Sequence, residues 1–192
     1  MAELSFTSKL TWSGGRLSRG IVEAGGEIFQ FSVPASMGGL GAGTNPEELL
    51  LSAVGSCYTA TLAATLEAAN LPLAALEVKV DGCVFDYPGR TARISTITVN
   101  PTFAGIESGR RAEYESAAGK ARERCFIGRH LDPQVNYQVG EIGCVEAPAP
   151  AEAGLDGRTR ARAAGHRPRL GGTRGHPATG EGAARQGTKH TP

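Results

Sequence analysis

The chain predicts an α+β fold, and three observations carry that prediction. Stretches of alternating apolar and polar residues lie towards both ends of residues 1–145, as half-buried strands require. Between them, the segment from Pro46 to about Asn70 is almost entirely apolar or small: Leu49, Leu50, Leu51, Ala53, Val54, Ala60, Leu62, Ala63, Ala64 and Leu66. A helix apolar on nearly every side belongs inside a structure and not on its surface. A third segment, from about Glu107 to Cys125, has one apolar face and one charged face, which marks a second, amphipathic helix.

Each element has its own justification. Leu4, Phe6, Leu10 and Trp12 alternate loosely with polar residues and predict a half-buried first strand, ended by Gly14-Gly15 with Arg16 at the loop edge. Ile21-Val22 and the run from Glu27 to Val33 predict a hairpin around Ala24-Gly25-Gly26. A Gly-rich loop, Pro34 to Gly43, then feeds the central helix. Asn45 is a favoured N-cap, Pro46 suits the first helical position, and Glu48 stands where a capping box would close. Asn70 and Pro72 supply the stop. Within this helix Cys57 shares a face with Leu50, Ala53, Val54, Ala60, Thr61 and Ala64, mostly small side chains that admit a close neighbour. Leu76, Val78, Val80 and Val84 mark a long strand with Cys83 and Phe85 on its other face, and Arg93 to Val99 returns antiparallel after the turn at Tyr87-Pro88-Gly89-Arg90. In the second helix Tyr114, Ala118, Ala121 and Cys125 fall within about 60° of one another at 100° per residue. Gly128 and Asp132-Pro133 break the pattern, and Val135, Tyr137 and Val139 alternate with polar residues as a last strand.

Composition bounds the function. Residues 146–192 hold 8 Lys+Arg against 4 Asp+Glu, which leaves 12 against 15 of the totals of 20 and 19 for residues 1–145. The folded part is therefore mildly acidic and shows no nucleic-acid footprint. No run approaches the roughly 18 apolar residues of a membrane span, and the N-terminus has neither a basic start nor an apolar core, so a cytoplasmic protein is expected. From Glu146 the composition turns to Ala, Gly, Pro and Arg, with Leu155 and Leu170 the only large aliphatic residues. Residues 146–192 are expected to be a disordered tail, because so little apolar surface cannot offset the entropy of ordering.

Four cysteines in a chain of this kind point to thiol chemistry or to none, and not to a disulfide framework. There is no C-x-x-C and no Cys/His cluster at zinc spacing, so no metal is expected. His130, the only histidine before the tail, could pair with Cys125, though a histidine at a helix end more often caps it. A buried cysteine alone is more often an inert small hydrophobe than a nucleophile. Cys83 and Cys144, on predicted strands, are read in that way as packing residues.

Four features in order resemble the OsmC/Ohr family of thiol peroxidases. They are Gly14-Gly15-Arg16; Gly41-Ala42-Gly43-Thr44-Asn45-Pro46-Glu47-Glu48-Leu49; Ser56-Cys57; and Cys125 after an Ala-rich charged helix. The resemblance covers roughly residues 4–145 and implies an OsmC-like fold, an intertwined homodimer with antiparallel sheets wrapped around two central helices. It implies reduction of organic, lipid-like hydroperoxides to alcohols. No cofactor would be bound, and an external dithiol, such as a lipoylated protein, would restore the thiols. By position it makes Cys57 the attacking cysteine, Cys125 the resolving one, Arg16 the stabiliser of the thiolate and Glu47 the acid that orients it. Where many relatives have proline after the second cysteine this chain has Phe126-Ile127-Gly128, which predicts a helix continuing past Cys125. The alternative is a non-catalytic OsmC-like dimer that binds an apolar small molecule. Arg16 argues against it, since a pure binder needs no charge beside a thiol.

One consequence is geometric. Ten helical residues separate Glu47 from Cys57, about 15 Å of rise, and a glutamate reaches only about 4–5 Å. If Glu47 serves the thiol, either the helix is sharply kinked, for which Gly55 is a weak signal, or the acid comes from a second chain. The second chain is the simpler route in the dimer that the resemblance implies.

Overall fold

Asn45 begins the central helix as its sequence dictates. In the computed structural model, which describes residues 3–146, its side chain accepts the Glu48 amide at 2.8 Å ahead of α1, Pro46–Ala68. The reciprocal half of the capping box does not form. The Glu48 carboxylate instead accepts from the Thr44 hydroxyl at 3.1 Å. At the other end Asn70 takes a left-handed φ of 51°. The Leu71 amide then donates to Leu66 and the Asn70 amide to Glu67, both at 3.0 Å. That paired pattern satisfies two orphan carbonyls and folds Leu71 onto the core beside Leu66.

Two sheets flank this helix in the chain. The first is an antiparallel meander of β1 (Ser8–Trp12), β2 (Arg19–Ala24) and β3 (Glu27–Ser32). Its register aligns Leu10, Val22 and Phe29, and next to them Trp12, Gly20 and Phe31, on one apolar face. The second is mixed. β4 (Ala75–Phe85) pairs antiparallel with β5 (Arg93–Ala104), while β6 (Asn136–Val139) and β7 (Gly143–Val145) pair parallel with β5 one after the other.

The second helix is not the single rod that the spacing predicts. A 3-10 turn, Ser108–Arg110, leads into α2, Arg111–Arg124, and a separate α3 covers Phe126–Leu131. Cys125 stands between them with ψ of 109°, outside the helical region. Its sulfur accepts the Gly128 amide at 3.4 Å and so caps the helix that follows. Gly128 is thus inside a helix and does not end one. The expected stripe does hold: Tyr114, Ala118, Ala121 and Cys125 are all fully buried.

The core lies between α1, α2 and the second sheet, around Tyr58, Leu62, Leu66, Ile97, Phe103 and Tyr114. Ala117, Ala118 and Ala121 let α2 approach α1, and the Tyr58 hydroxyl donates to the Ala118 carbonyl at 3.2 Å. Gly55 does the same for β4, where a Cβ would come within 2.8 Å of Val80 Cγ2.

Two expectations of burial fail within one chain. β1 is not half-buried: Leu10 is 56 % and Trp12 41 % exposed, and although Val22 on β2 is buried, no residue of the first sheet joins the core cluster around α1 and α2. Nor is α1 enclosed on every side, because Ala53, Ser56, Ala60, Ala63 and Ala64 face outward. By length and composition α1 is also apolar enough to cross a bilayer, contrary to the expectation from the sequence, but its Tyr58, Leu62 and Leu66 side packs in the core. The expected tail, residues 146–192, lies outside the described residues from 147 onward.

Candidate active site

Cys57 and Cys125 meet where α1 passes the junction of α2 and α3. Two consecutive amides of the first turn of α3 serve them: Ile127 donates to Cys57 Sγ at 3.5 Å and Gly128 to Cys125 Sγ at 3.4 Å. These N–H groups are among those a helix start leaves without intrahelical partners. The Gly128 hydrogen bond favours the charged form of the Cys125 sulfur. The Cys125 thiol faces the Val54 carbonyl at 4.0 Å. The break at Cys125 is therefore what leaves both amides free for the sulfurs. A continuous helix would have spent the Gly128 amide on Arg124.

The two thiols differ in access. Cys57 is half-buried, whereas Cys125 is fully buried. Burial pushes the Cys125 pKa up, the Tyr137 hydroxyl and the Gly128 amide pull it back, and Cys57 pushes it up again. Tyr137 is buried on β6, and its hydroxyl has no hydrogen-bond partner of acceptable geometry among the described residues. It nonetheless lies close enough to Cys125 for each group to move the other's pKa. The hydroxyl faces the thiol without a formed bond.

Glu47 and Arg16 are elsewhere in the chain. Glu47 occupies the first turn of α1, and Glu47 Oε2 is buried with no partner among the described residues. Arg16 is exposed on the loop after β1, where its Nη2 donates to the Met37 carbonyl and, at 3.3 Å, to the Tyr87 hydroxyl. No described hydrogen bond or ion pair joins Arg16 or Glu47 to either cysteine, and none joins Arg16 to Glu47. α1 is one uninterrupted helix, so the 15 Å argument applies as the sequence posed it.

Cys144 is half-buried against the core, as a packing residue would be, but Cys83 is exposed on β4 and outside the described core cluster. His130 Nδ1 lies 2.6 Å from the Phe126 carbonyl, one turn back in α3, which is a local contact and no Cys–His pair. Sequence reasoning missed Tyr137 and the two amides. An aromatic on an alternating strand reads only as core, and an amide has no signature at all.

The chain matches the family model described as "OsmC-like protein" over residues 39–139. It is 42% identical over 145 residues to the uncharacterized protein YmaD of Bacillus subtilis (strain 168), covering 72% of this chain and 94% of that one. Among solved structures it resembles the OsmC-like protein from Mycoplasma pneumoniae at 16% identity and a TM-score of 0.62, over 75% of this chain and 99% of the other. It also resembles the organic hydroperoxide resistance protein OhrB of Bacillus subtilis at 22% identity and a TM-score of 0.54, over 71% and 98%. A third likeness is to the organic hydroperoxide resistance protein OsmC from Legionella pneumophila, at 18% identity and a TM-score of 0.59, over 73% and 99%.

Proposed function

The chain belongs to the OsmC-like protein family, and we propose that it is a cysteine-based peroxidase that reduces organic hydroperoxides to alcohols. The observation that carries this reading is the pair of unequal thiols at one helix junction. An attacking sulfur must be reachable and a resolving sulfur must be adjacent but sheltered, which matches half-buried Cys57 beside fully buried Cys125.

Cys57 thiolate attacks the hydroperoxide O–O bond, leaving an alkoxide that takes a proton and a sulfenic acid on sulfur. The Cys125 thiol then displaces the sulfenic hydroxyl as water and closes a disulfide. An external dithiol, of which a lipoylated protein is one example, reduces that disulfide and resets both thiols. No bound cofactor takes part, and the reaction belongs in the cytoplasm.

Arg16 and Glu47 enter through a second copy. A guanidinium brought beside Cys57 would stabilise the attacking sulfur anion and the departing alkoxide. A buried carboxylate oxygen with no partner is costly until a positive or donor group meets it. The outward small-residue face of α1 and the apolar face of the first sheet offer a second copy its contact surfaces. In such a dimer, Arg16 and Glu47 of one copy complete the site of the other.

The test is turnover. A bulky organic hydroperoxide with dihydrolipoamide should be consumed faster than hydrogen peroxide, and faster than with a monothiol. Absence of turnover with either reductant would favour the non-catalytic binding protein.

A further inference from the structure

The site contains one polar group that the reaction above does not use, the Tyr137 hydroxyl. Everything else about Tyr137 is engaged. Its carbonyl accepts the Arg122 guanidinium at 2.6 and 2.9 Å, and that guanidinium lies 5.4 Å from the ring centroid. Its ring edge fills the space that Gly128 leaves by having no Cβ. Arg122 also pairs with Asp132 at 2.9 Å, which fixes β6 against α2 and the end of α3. The ring is therefore held firmly, and a phenylalanine would fill the same space without burying an orphan hydroxyl.

The groups that face Cys125 are few. α1 contributes Cys57 and Tyr58, α3 the Gly128 amide, and β6 Tyr137. Tyr58 is spent, because its hydroxyl donates to Ala118. Among the described residues, Tyr137 is the remaining hydroxyl donor there without a partner. Burial holds both tyrosines well above the ordinary phenol range, so the Tyr137 hydroxyl stays protonated while a thiol beside it ionises.

We propose that the Tyr137 hydroxyl is the donor that stabilises the Cys125 thiolate as this buried thiol attacks oxidised Cys57. Resting on the hydroperoxide-reductase reading, the step balances as follows. The Cys125 S–H loses its proton, its sulfur forms the S–S bond, the S–O bond of the Cys57 sulfenic acid breaks, and the proton leaves with that hydroxyl as water. Tyr137 transfers nothing. Its O–H turns onto the sulfur as negative charge appears, which is why the resting thiol leaves it without a formed bond. A fully buried thiol without such a donor would ionise too rarely to close the disulfide before the sulfenic acid met a second peroxide.

Tyr137→Phe keeps the ring and removes only the donor. The first measurement does not depend on peroxidase activity. In a Cys57→Ser chain, the Cys125 13Cβ shift is followed against pH with and without Tyr137→Phe. Loss of the donor should raise the Cys125 pKa by roughly one unit or more. Fluorotyrosine at position 137, a more acidic phenol, should move it the other way, and it covers the case that Tyr137→Phe folds poorly. The second measurement adds one equivalent of an organic hydroperoxide to the otherwise native chain. Tyr137→Phe should form the Cys57 sulfenic acid at the native rate but close the disulfide about tenfold more slowly at neutral pH, in line with that shift. The difference should shrink at alkaline pH. An unchanged Cys125 titration, or closure at the native rate and pH profile, overturns the role of Tyr137. If the native chain does not react with hydroperoxide while the titration still shifts, the reductase reading fails and the thiolate donor stands.

Discussion

Cys125 sits in an environment that makes it a poor nucleophile at rest, and this shapes how the site responds to pH. Its pKa is raised first by burial, so the rate of disulfide closure should climb with pH until the raised value is passed. Stopped-flow measurement of closure across pH checks this, and a flat profile would mean that closure is not limited by Cys125 ionisation. The same shift acts on stability. Folded Cys125, Tyr58 and Tyr137 all hold their protons more tightly than the unfolded chain does. Their contribution is complete below the unfolded values, about 8.5 for cysteine and 10 for tyrosine, and is lost as pH rises towards the folded values. Denaturant midpoints should therefore fall steadily above about pH 9. Cys125→Ser should leave Cys57 able to react once and then accumulate as sulfenic acid, detectable by mass. Cys57→Ser should abolish turnover, because a serine hydroxyl is not appreciably ionised at neutral pH.

At the scale of elements, the proposed reaction rests on the junction of α2 and α3. Gly128 is the position where a helix interior would ordinarily gain about 0.5–1 kcal/mol from alanine. Here the added Cβ would run into the Tyr137 ring, so Gly128→Ala should instead destabilise by about 1–3 kcal/mol and slow disulfide closure. Thermal denaturation together with thiol trapping measures both effects. The start of α1 was legible because Asn45 and Pro46 act locally, whatever surrounds them. So was the buried stripe of α2, which depends only on period. The break at Cys125 was not, since Phe126 and Ile127 are acceptable helix residues and the first breaker in sequence is Gly128, three residues later. The helix ends there through a local cap and a tertiary contact together: the Cys125 sulfur accepts from Gly128, and the Tyr137 ring packs where a Cβ on that residue would lie. The Tyr137 hydroxyl was hidden for the same reason, because strand alternation reports which way a side chain points and not what it finds there.

For the whole molecule, the exposed apolar face of the first sheet, the outward small face of α1 and the unpartnered Glu47 oxygen fit a single arrangement. In the proposed dimer each site would take its cysteines from one chain and Arg16 with Glu47 from the other. Mixing inactive Glu47→Ala with inactive Cys57→Ser under conditions that exchange subunits should restore activity. Random exchange makes half the dimers mixed, each with one intact site of two, so recovery should approach about a quarter of native activity for two-fold dimers. No recovery, with exchange confirmed by mass, would assign Glu47 to its own chain or to no role at the thiol.

The central claim is that Cys57 and Cys125 form one redox pair, and peptide mapping tests it most directly. The reduced protein is treated with one equivalent of an organic hydroperoxide, its remaining thiols are alkylated, and its peptides are analysed without reduction. The account predicts rapid loss of two thiols per chain and a peptide joining Cys57 to Cys125, with Cys83 and Cys144 alkylated. Four thiols remaining, or a disulfide that joins Cys57 to Cys83 or Cys144 instead, would contradict it.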